Sequence, residues 1–346
     1  MRPTRRILIS DIHLGTEAAV DDSDPTKRPY GWLLKHEIAP LTSFLSSRKI
    51  QEADELILVG DLMDLWAYPV DVRPPGPSEI INARQNRPII DALRAFAADA
   101  RKQLIYLVGN HDMHVDGAAA DELARGTIFD EVYDEYPLRV VHGHEHCLFN
   151  GSDPGGRTYP LGYFITRCCA TADRDGGAHA MGLNLWSLFQ GGSQIVELIR
   201  RGKPLSSAVL DFVMNATGVS ETTPILMPDG STTTLKDVKA EYASLVGEWN
   251  ANRQCHAATA VLCEWDPWNH LPIDRQRVHI MGHSHKHTCT NNEAYGVYFN
   301  LGTWCQGTPN FVEARVEEGN EHEMVIDLCR WENGNTVLTK RERFVA

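Results

Sequence analysis

The sequence lacks three features that would place it in common classes. Its eight cysteines form no CxxC pair, it has no run of about 18 apolar residues, and 46 acidic side chains outnumber 33 basic ones. Few and unpaired cysteines argue against a disulfide scaffold and a thiolate zinc site. The missing apolar run excludes a membrane-spanning helix. The formal charge of −13 argues against a broad nucleic-acid-binding surface, which needs clustered Lys and Arg.

The N-terminal segment does not fit a secretory signal. The charged stretch MRPTRR is similar to the start of one, but the apolar run after it, ILIS, is too short and ends at Asp11. We therefore expect a cytoplasmic protein with no membrane span. The sequence does not predict its oligomeric state.

What the chain does contain is a series of short Ile, Leu and Val runs separated by helical patterns. Such runs are typical of strands buried on both faces in a layered α/β domain. Hydrophobic spacing predicts helices over residues 32–49 and 88–102. Buried strands are predicted at 5–10, 55–60, 103–109, 138–143 and 277–282. Three further strands, at 296–302, 311–318 and 324–331, are predicted to form an antiparallel run.

The alternating pattern stops between residues 150 and 272. This segment has Gly-rich punctuation, helical pieces near 193–216 and 236–250, and a hairpin-like stretch at 224–235. It is too long to be a structureless loop. We therefore predict a core domain made of residues 1–149 and 273–346, with residues 150–272 inserted as a mainly helical cap.

Five predicted strands end in polar residues of the kinds that bind metals. The motifs are SDIH at 10–13, GDLMD at 60–64, GNHD at 109–112, HGH at 142–144 and GHSH at 282–285. Ligands of α/β sheets bind at the carboxyl ends of strands. The two-residue spacing in DIH and HSH puts both side chains on one face if the segment is extended. Asp61 and Asn110 each follow a glycine, where the chain turns sharply without a Cβ clash.

The donors in these motifs suit a pair of metal ions. They comprise two carboxylates, four imidazoles and one amide oxygen, namely Asp11, His13, Asp61, Asn110, His142, His283 and His285. Mixed nitrogen and oxygen ligation without thiolate favours Mn²⁺, Fe or Zn²⁺. Seven donors are too many for one metal with an open position, and they fit two metals about 3.5–4 Å apart that share one carboxylate.

In this order the motifs DIH, GDLMD, GNHD, HGH and GHSH resemble the signature of the calcineurin-like metallophosphoesterases, over residues 5–149 and about 275–305. The resemblance implies a four-layer αββα sandwich of two mixed sheets flanked by helices. It implies two divalent metals, with Mn²⁺ the first choice and Fe or Zn²⁺ as alternatives. One metal would be held by Asp11, His13 and His285, the other by Asn110, His142 and His283, with Asp61 bridging them. The implied reaction is in-line attack of a metal-bound hydroxide on a phosphoester.

The resemblance also points to two catalytic residues that are not ligands. His111 would protonate the leaving-group oxygen or stabilise the transition state; the alternative is a histidine that orients a ligand. Asp64 would orient His111 and support its protonated form; the alternative is a residue at a helix start stabilised by the helix dipole. Asp112 is expected to support the site rather than to catalyse.

Substrate contacts are expected in the inserted cap and next to the HGH motif. Arg157, Arg167 and Arg174 are candidates because a guanidinium suits phosphate recognition, and we expect one of the three to serve. His144 is a further candidate for lining the cleft.

The expected substrate is a small phosphodiester, and no nucleic acid. A phosphomonoester is the first alternative. A nucleotide-sugar diphosphate is another, since GDLMDLW and the insertion resemble the UDP-diacylglucosamine pyrophosphatase branch. That branch, however, has Arg in place of His111 and a shorter cap. A metal-free scaffold on the same fold would be expected to have lost ligands, whereas all seven are present here.

Overall fold

The computed structural model describes residues 4–24, 28–146, 150, 159–176, 205–246, 277–292, 296–307, 309–317 and 320–345. Fourteen strands are assigned within these ranges. In chain order they are β1 Arg5–Ile9, β2 Glu55–Val59, β3 Gln103–Leu107, β4 Ile128–Asp130, β5 Val132–Glu135, β6 Leu138–Val141, β7 Ile225–Leu226, β8 Thr232–Thr233, β9 Val278–Met281, β10 His287–Asn292, β11 Gly296–Leu301, β12 Asn310–Glu317, β13 Asn320–Glu332 and β14 Asn335–Val345.

Two mixed sheets contain all of these strands except the small hairpin of β7 and β8. The seven-stranded sheet has the order β14-β13-β12-β1-β2-β3-β4, and the five-stranded sheet has the order β10-β11-β9-β6-β5. Strands β1 to β4 run parallel in the first sheet, and β6, β9 and β11 run parallel in the second. The carboxyl ends of neighbouring parallel strands therefore lie at the same end of each sheet.

The two-residue period of the strands divides the core into two layers. Leu8, Ile57 and Val59 of the larger sheet pack against Val140 and Ile280 of the smaller one, so the two sheets lie face to face. The intervening side chains, such as Ile7 and Leu56, enter a second cluster on the other face of the larger sheet together with residues of the helices. This double burial explains why the strands are apolar throughout.

Nine α-helices are assigned within the described ranges: α1 Glu17–Val20, α2 Ile38–Leu45, α3 Arg48–Gln51, α4 Pro77–Ile81, α5 Arg87–Ala97, α6 Gly117–Leu123, α7 Leu161–Asp175, α8 Leu205–Thr217 and α9 Leu235–Val246. Side chains of α2, α5 and α7, including Phe44, Ile90 and Phe164, contribute to the helix-side core. The expected α/β arrangement of two mixed sheets flanked by helices is confirmed. No helix among the described residues is long and apolar enough to cross a membrane.

Several local predictions need correction. The single helix expected over 32–49 is broken into a 3₁₀ turn at Lys35–Glu37 and the helices α2 and α3. Strand β11 does not join the predicted antiparallel run, because it pairs with β9 in the other sheet, whereas β12 and β13 pair as expected. The strands β10 and β14 were not predicted, because their exposed positions carry polar residues without an apolar run.

Part of the insertion between residues 150 and 272 is described, as Asn150, α7, α8, α9 and the β7–β8 hairpin. The hairpin lies inside the stretch 224–235 that predicted one. The described parts are mainly helical, as expected.

A pair of substitutions tests the double-sided core. Ile57→Ala, at a fully buried position between the two sheets, should lower the free energy of unfolding by about 2–5 kcal/mol, since it removes buried methylenes and leaves a cavity. Val337→Ala on β14, where the side chain is 40% exposed, should change it by no more than about 0.5 kcal/mol. Urea unfolding monitored by circular dichroism measures both, and equal effects would contradict the packing described here.

Candidate metal centre

The strand-end motifs converge where the carboxyl ends of the parallel strands of the two sheets lie together. Three groups of side chains there could each hold a metal ion, with ligand atoms within 4.8 Å of one another: Asp11, His13 and His285; His13, Asp61 and His111; and Asp61, His142 and His283. His13 belongs to the first two groups and Asp61 to the last two. The donors therefore form one continuous cluster rather than three separate sites.

Asp61 lies at the centre of this cluster. Its Oδ2 atom is 3.2 Å from His142 Nε2 and 3.8 Å from His13 Nε2, so one oxygen faces a histidine from each side. Its Oδ1 atom accepts a hydrogen bond of 2.8 Å from the backbone N–H of His111. This position between the two outer groups is the one that a bridging carboxylate requires.

The environment of His142 tests whether the donors fit a cation. Its Nδ1 lies 2.8 Å from the carbonyl oxygen of Val59, while Nε2 lies 3.1 Å from Asn110 Oδ1 and 3.2 Å from Asp61 Oδ2. In the neutral tautomer that donates to Val59, Nε2 carries a lone pair and is itself an acceptor, and it faces the two acceptor oxygens of Asn110 and Asp61. Three acceptors at this range repel one another unless a proton or a cation lies between them.

A proton can fill that role only by charging a buried imidazole. Burial disfavours the imidazolium of His142, but the charge and hydrogen bond of Asp61, the charge of Asp11 and the hydrogen bond to Val59 together outweigh burial and raise the pKa of His142 to about 10. Conversely, although burial disfavours its charge, neighbouring His142 and His111 hold the pKa of Asp61 well below its ordinary value. A divalent cation would satisfy the same acceptors without protonating a ligand, so the residues fit a metal.

The other side of Asp61 repeats this pattern. His13 Nε2 and His285 Nε2 are 3.2 Å apart, and His285 Nε2 is 3.2 Å from Asp11 Oδ1. Asp11 is held in place by the hydroxyl of Ser10 and by the backbone N–H of His283, which lies 3.0 Å from Oδ2. Two imidazole nitrogens and a carboxylate oxygen thus face one small space.

The backbone at the candidate ligands is strained. Five of them have positive φ angles, between 53° and 64°: Asp11, His13, Asp61, His283 and His285. Within the described ranges, two other non-glycine residues share this property, Gln306 and Asn333. The left-handed region costs an L-residue about 1–2 kcal/mol, and such strain concentrates at functional sites. The extended conformation under which DIH and HSH would each place both side chains on one face is therefore not found. Asp11 and His13 still enter one group, whereas His283 and His285 enter different groups.

Three glycines make room for the side chains of the candidate ligands. A Cβ atom on Gly60 would lie 2.4 Å from the ring of His142, one on Gly109 would lie 2.2 Å from Asp61 Oδ1, and one on Gly282 would lie 2.5 Å from Asp11 Oδ2. Gly60 also has a φ of +74°, as its predicted role in a sharp turn requires. At Gly109 and Gly282 the reason is space: Gly109 lies against a candidate ligand that follows the neighbouring strand β2, and Gly282 lies against one that follows β1 of the other sheet.

His111 and Asp64 form the predicted pair beside these ligands. His111 Nδ1 is 2.9 Å from Asp64 Oδ1, an oxygen that also accepts the N–H groups of Trp66 and Ala67 at 2.9 and 2.8 Å. Burial lowers the pKa of His111, but Asp64 and Asp61 more than offset this and raise it above its ordinary value. Since Nδ1 is engaged by Asp64, Nε2 is the nitrogen left to meet a substrate.

Asp112, the last residue of GNHD, supports the loops that carry the other residues. Its carboxylate accepts hydrogen bonds from the N–H groups of Leu62 and Gly109 and from the hydroxyl of Tyr106, at 2.6–2.8 Å. Burial and the nearby charge of Asp61 raise the pKa of Asp112 to about 6. The side chain thus ties the turn after β2 to the turn after β3.

The candidate substrate-binding residues do not gather at one place. Arg157 lies outside the described residues. Arg167 is fully buried and its guanidinium is surrounded by backbone carbonyls, which argues against the predicted substrate contact. Arg174 forms ion pairs with Asp71 and Asp175 near the surface. His144 is buried, with its ring centroid 5.4 Å from that of His142, so it remains beside the site.

Two tryptophans that were not singled out from the sequence frame the cluster. Trp66 stacks on His111 with ring centroids 4.7 Å apart and an interplanar angle of 30°. Trp32 lies with its centroid 5.5 Å from that of His13 and 5.2 Å from that of His285. Trp66 ends the motif GDLMDLW and could have been identified from the sequence, because it lies two residues after Asp64. Trp32 belongs to no motif, and no sequence signal points to it.

Comparisons with known proteins add little to this geometry. No protein-family model and no curated protein matches the chain. Among solved structures, a dimetal phosphatase from Danio rerio is 12% identical, with a TM-score of 0.39 and coverage of 99% of this chain and 98% of that one. A variant of Vps29 from Entamoeba histolytica is 12% identical, with a TM-score of 0.32 and coverage of 99% of both chains. Such low scores carry no argument about this chain.

Substitution of the packed glycines should damage the ligand cluster selectively. In Gly282→Ala the new Cβ atom would meet Ser10 Oγ at 1.8 Å and Asp11 Oδ2 at 2.5 Å. We therefore expect metal bound per chain, measured by elemental analysis after dialysis, to fall by about half or more, because the Asp11 side should be lost first. The control is Gly117→Ala at the first position of α6, where nothing lies within 4 Å. A Gly282→Ala protein with normal metal content would refute the close approach.

Proposed function

We propose that this protein is a calcineurin-like metallophosphoesterase with two metal ions, hydrolysing a phosphoester bond. The observation that carries the proposal is the convergence of His and Asp side chains on both sides of Asp61. In this proposal Asp11, His13 and His285 hold one metal, Asn110, His142 and His283 hold the other, and Asp61 bridges them. The mixed nitrogen and oxygen donors suit Mn²⁺, Fe or Zn²⁺, and we propose Mn²⁺ as the first choice.

The two cations would supply Lewis acidity and lower the pKa of a water molecule to be used in the attack. The chain's own residues then fix the geometry. His142 Nδ1–H donates to the carbonyl oxygen of Val59, and the backbone N–H of His283 donates to Asp11. These hydrogen bonds would orient the ligands, as partners of metal ligands commonly do. Trp32 and Trp66 enclose the cluster with apolar surface, which limits the access of water and strengthens electrostatic interactions inside.

His111 would carry the proton that the leaving group needs. Its Nδ1 is held by Asp64 and one ring face is covered by Trp66, so the orientation of the imidazole is set before substrate binds. In the protonated imidazole Nε2–H is an acid that can donate to the leaving oxygen. Asp64 would support the charged form and return the ring to the same orientation after each turnover.

A small phosphodiester is the proposed substrate class, with a phosphomonoester or a nucleotide-sugar diphosphate as alternatives. Parts of the insertion support a confined cleft. Asn150 Nδ2 is 3.4 Å from His283 Nε2, and Tyr159 packs on His114 with ring centroids 4.6 Å apart. We propose that residues 150–272 act as a cap that sets substrate choice. The acidic net charge favours a small substrate over nucleic acid.

Replacement of the bridging carboxylate tests the binuclear centre. Asp61→Ala should abolish hydrolysis of bis-p-nitrophenyl phosphate and lower the metal content below one ion per chain, because both sides lose a shared ligand. The measurements are turnover and elemental analysis of the purified protein. A metal-free wild-type protein without activity would favour the scaffold alternative.

The control for this test is Asp116→Ala. Asp116 caps α6 by accepting the N–H of Ala119 at 2.9 Å, so its loss should cost about 1 kcal/mol of stability and leave both metals in place. If Asp61→Ala retained wild-type turnover and metal, the bridging role would be wrong.

The role of His111 is tested by varying the leaving group. His111→Ala should lower turnover by about 10²–10⁴-fold for an alkoxide leaving group, and far less for p-nitrophenolate, which leaves without a proton. Metal content should stay unchanged, since His111 is not among the seven proposed ligands. His36→Ala at the exposed surface is the control. Equal losses with both leaving groups would point to positioning or charge stabilisation, and loss of metal would make His111 a structural support.

A further inference from the structure

Arg167 is a buried cation that has no carboxylate at hydrogen-bond distance among the residues the structure describes. Its side chain on α7 donates to the carbonyl oxygens of Tyr68, Pro69 and Val72, the latter two at 2.7 Å, and more weakly to Val70 at 3.3 Å. It also donates to the carbonyl of Leu226 at 2.9 Å and to the hydroxyl of Tyr163 at 2.6 Å. These acceptors account for all the donors of a guanidinium.

The clamped segment, residues 68–72, directly follows the residues that hold His111. Asp64 Oδ1 accepts the N–H groups of Trp66 and Ala67, and Trp66 stacks on His111. Thr171, one turn after Arg167 on α7, adds a further tie by accepting the N–H of Val70 at 2.9 Å. The conformation of the turn that presents Asp64 and Trp66 therefore depends on a neighbour contributed by the insertion.

A second route leads through the aromatic rings. Tyr163, which accepts from Arg167, packs edge-on against Trp66 with ring centroids 5.8 Å apart, and Trp66 also stacks on the ring of His111. Both routes end at the same imidazole. A shift of α7 would thus move the ring face and the carboxylate that orient His111 together.

We propose that Arg167 is a positioning residue for His111, acting through residues 68–72 and through Tyr163 and Trp66. The inference rests on the proposed function, because it assigns His111 the role of acid. It makes the inserted segment a structural part of the catalytic apparatus. The planar fork of Arg is required, since Lys offers a point charge that cannot reach carbonyls on several sides at once.

The first experiment is a double-mutant cycle with Arg167→Lys and His111→Ala, on an alkyl and an aryl phosphodiester. With His111 present, Arg167→Lys should lower turnover of the alkyl substrate by up to about 10²-fold and affect the aryl substrate much less. In the His111→Ala background it should cause little further loss, because contributions through one group are not additive. A full loss in that background, or equal losses on both substrates, would overturn the proposal.

The matched control is Arg73→Lys, which alters an exposed ion pair with Glu79 immediately after the clamped residues. It should leave the leaving-group dependence unchanged. Tyr163→Phe guards against a folding failure of Arg167→Lys, because it removes one acceptor and keeps the ring. It should shift the leaving-group dependence in the same direction by a smaller factor, and an equal loss on both substrates would count against the inference.

A second readout does not depend on activity. In protein labelled with ¹⁵N-histidine, the proton between His111 Nδ1 and Asp64 should give a low-field resonance that Arg167→Lys shifts or broadens and Arg73→Lys leaves in place. An unchanged resonance in folded Arg167→Lys would overturn the inference. If the wild-type protein hydrolysed neither substrate, the proposed function would fail, while the resonance would still decide whether Arg167 positions His111.

Discussion

The mutual repulsion of acceptors around Asp61 is the constraint on which the rest of the site depends. His142 Nε2 lies 3.1 Å from Asn110 Oδ1 and 3.2 Å from Asp61 Oδ2 in a buried space, where electrostatic interactions are strong. Acceptors held this close repel one another unless a positive charge lies between them. The surrounding fold must hold the side chains at close range against this repulsion, and the cost is visible as left-handed backbone at five of the seven candidate ligands.

The fold meets that cost by using both sheets. The turns after β1, β2 and β3 of the larger sheet carry Asp11 and His13, Asp61, and Asn110, respectively. The turns after β6 and β9 of the smaller sheet carry the other three histidines, His142, His283 and His285. The interlocked core between the sheets fixes the distance between these two sets, because close-packed interiors do not deform continuously. Neither sheet alone holds a complete set of candidate ligands, so β9 has to join β6 in the smaller sheet before the cluster is complete.

How far the sequence predicts this arrangement depends on the physical signal at each residue. Apolar runs ending in Asp, Asn or His are strong local signals, and they predicted the strands and the residues that converge after them. The left-handed turns at Asp11 and His13 carry no such signal, because neither residue is next to a glycine and tertiary contacts impose the conformation. Trp32 and the buried state of Arg167 were missed for the same reason: both depend on contacts between distant parts of the chain, and an arginine looks identical in sequence whether it binds solvent, phosphate or backbone carbonyls.

The burial of Arg167 suggests why the insertion and the core are joined in this way. Each carbonyl that moved away would leave a buried N–H group of Arg167 unsatisfied, at a cost of about 1–3 kcal/mol. This cost grows with every acceptor lost, so the contact is well suited to holding residues 68–72 in one conformation. A flexible phosphate-binding arginine at this position would add affinity for substrate but would leave the turn after Asp64 unsupported. The same side chain cannot serve both purposes, and the six acceptors around it show that its hydrogen-bonding capacity is used within the protein.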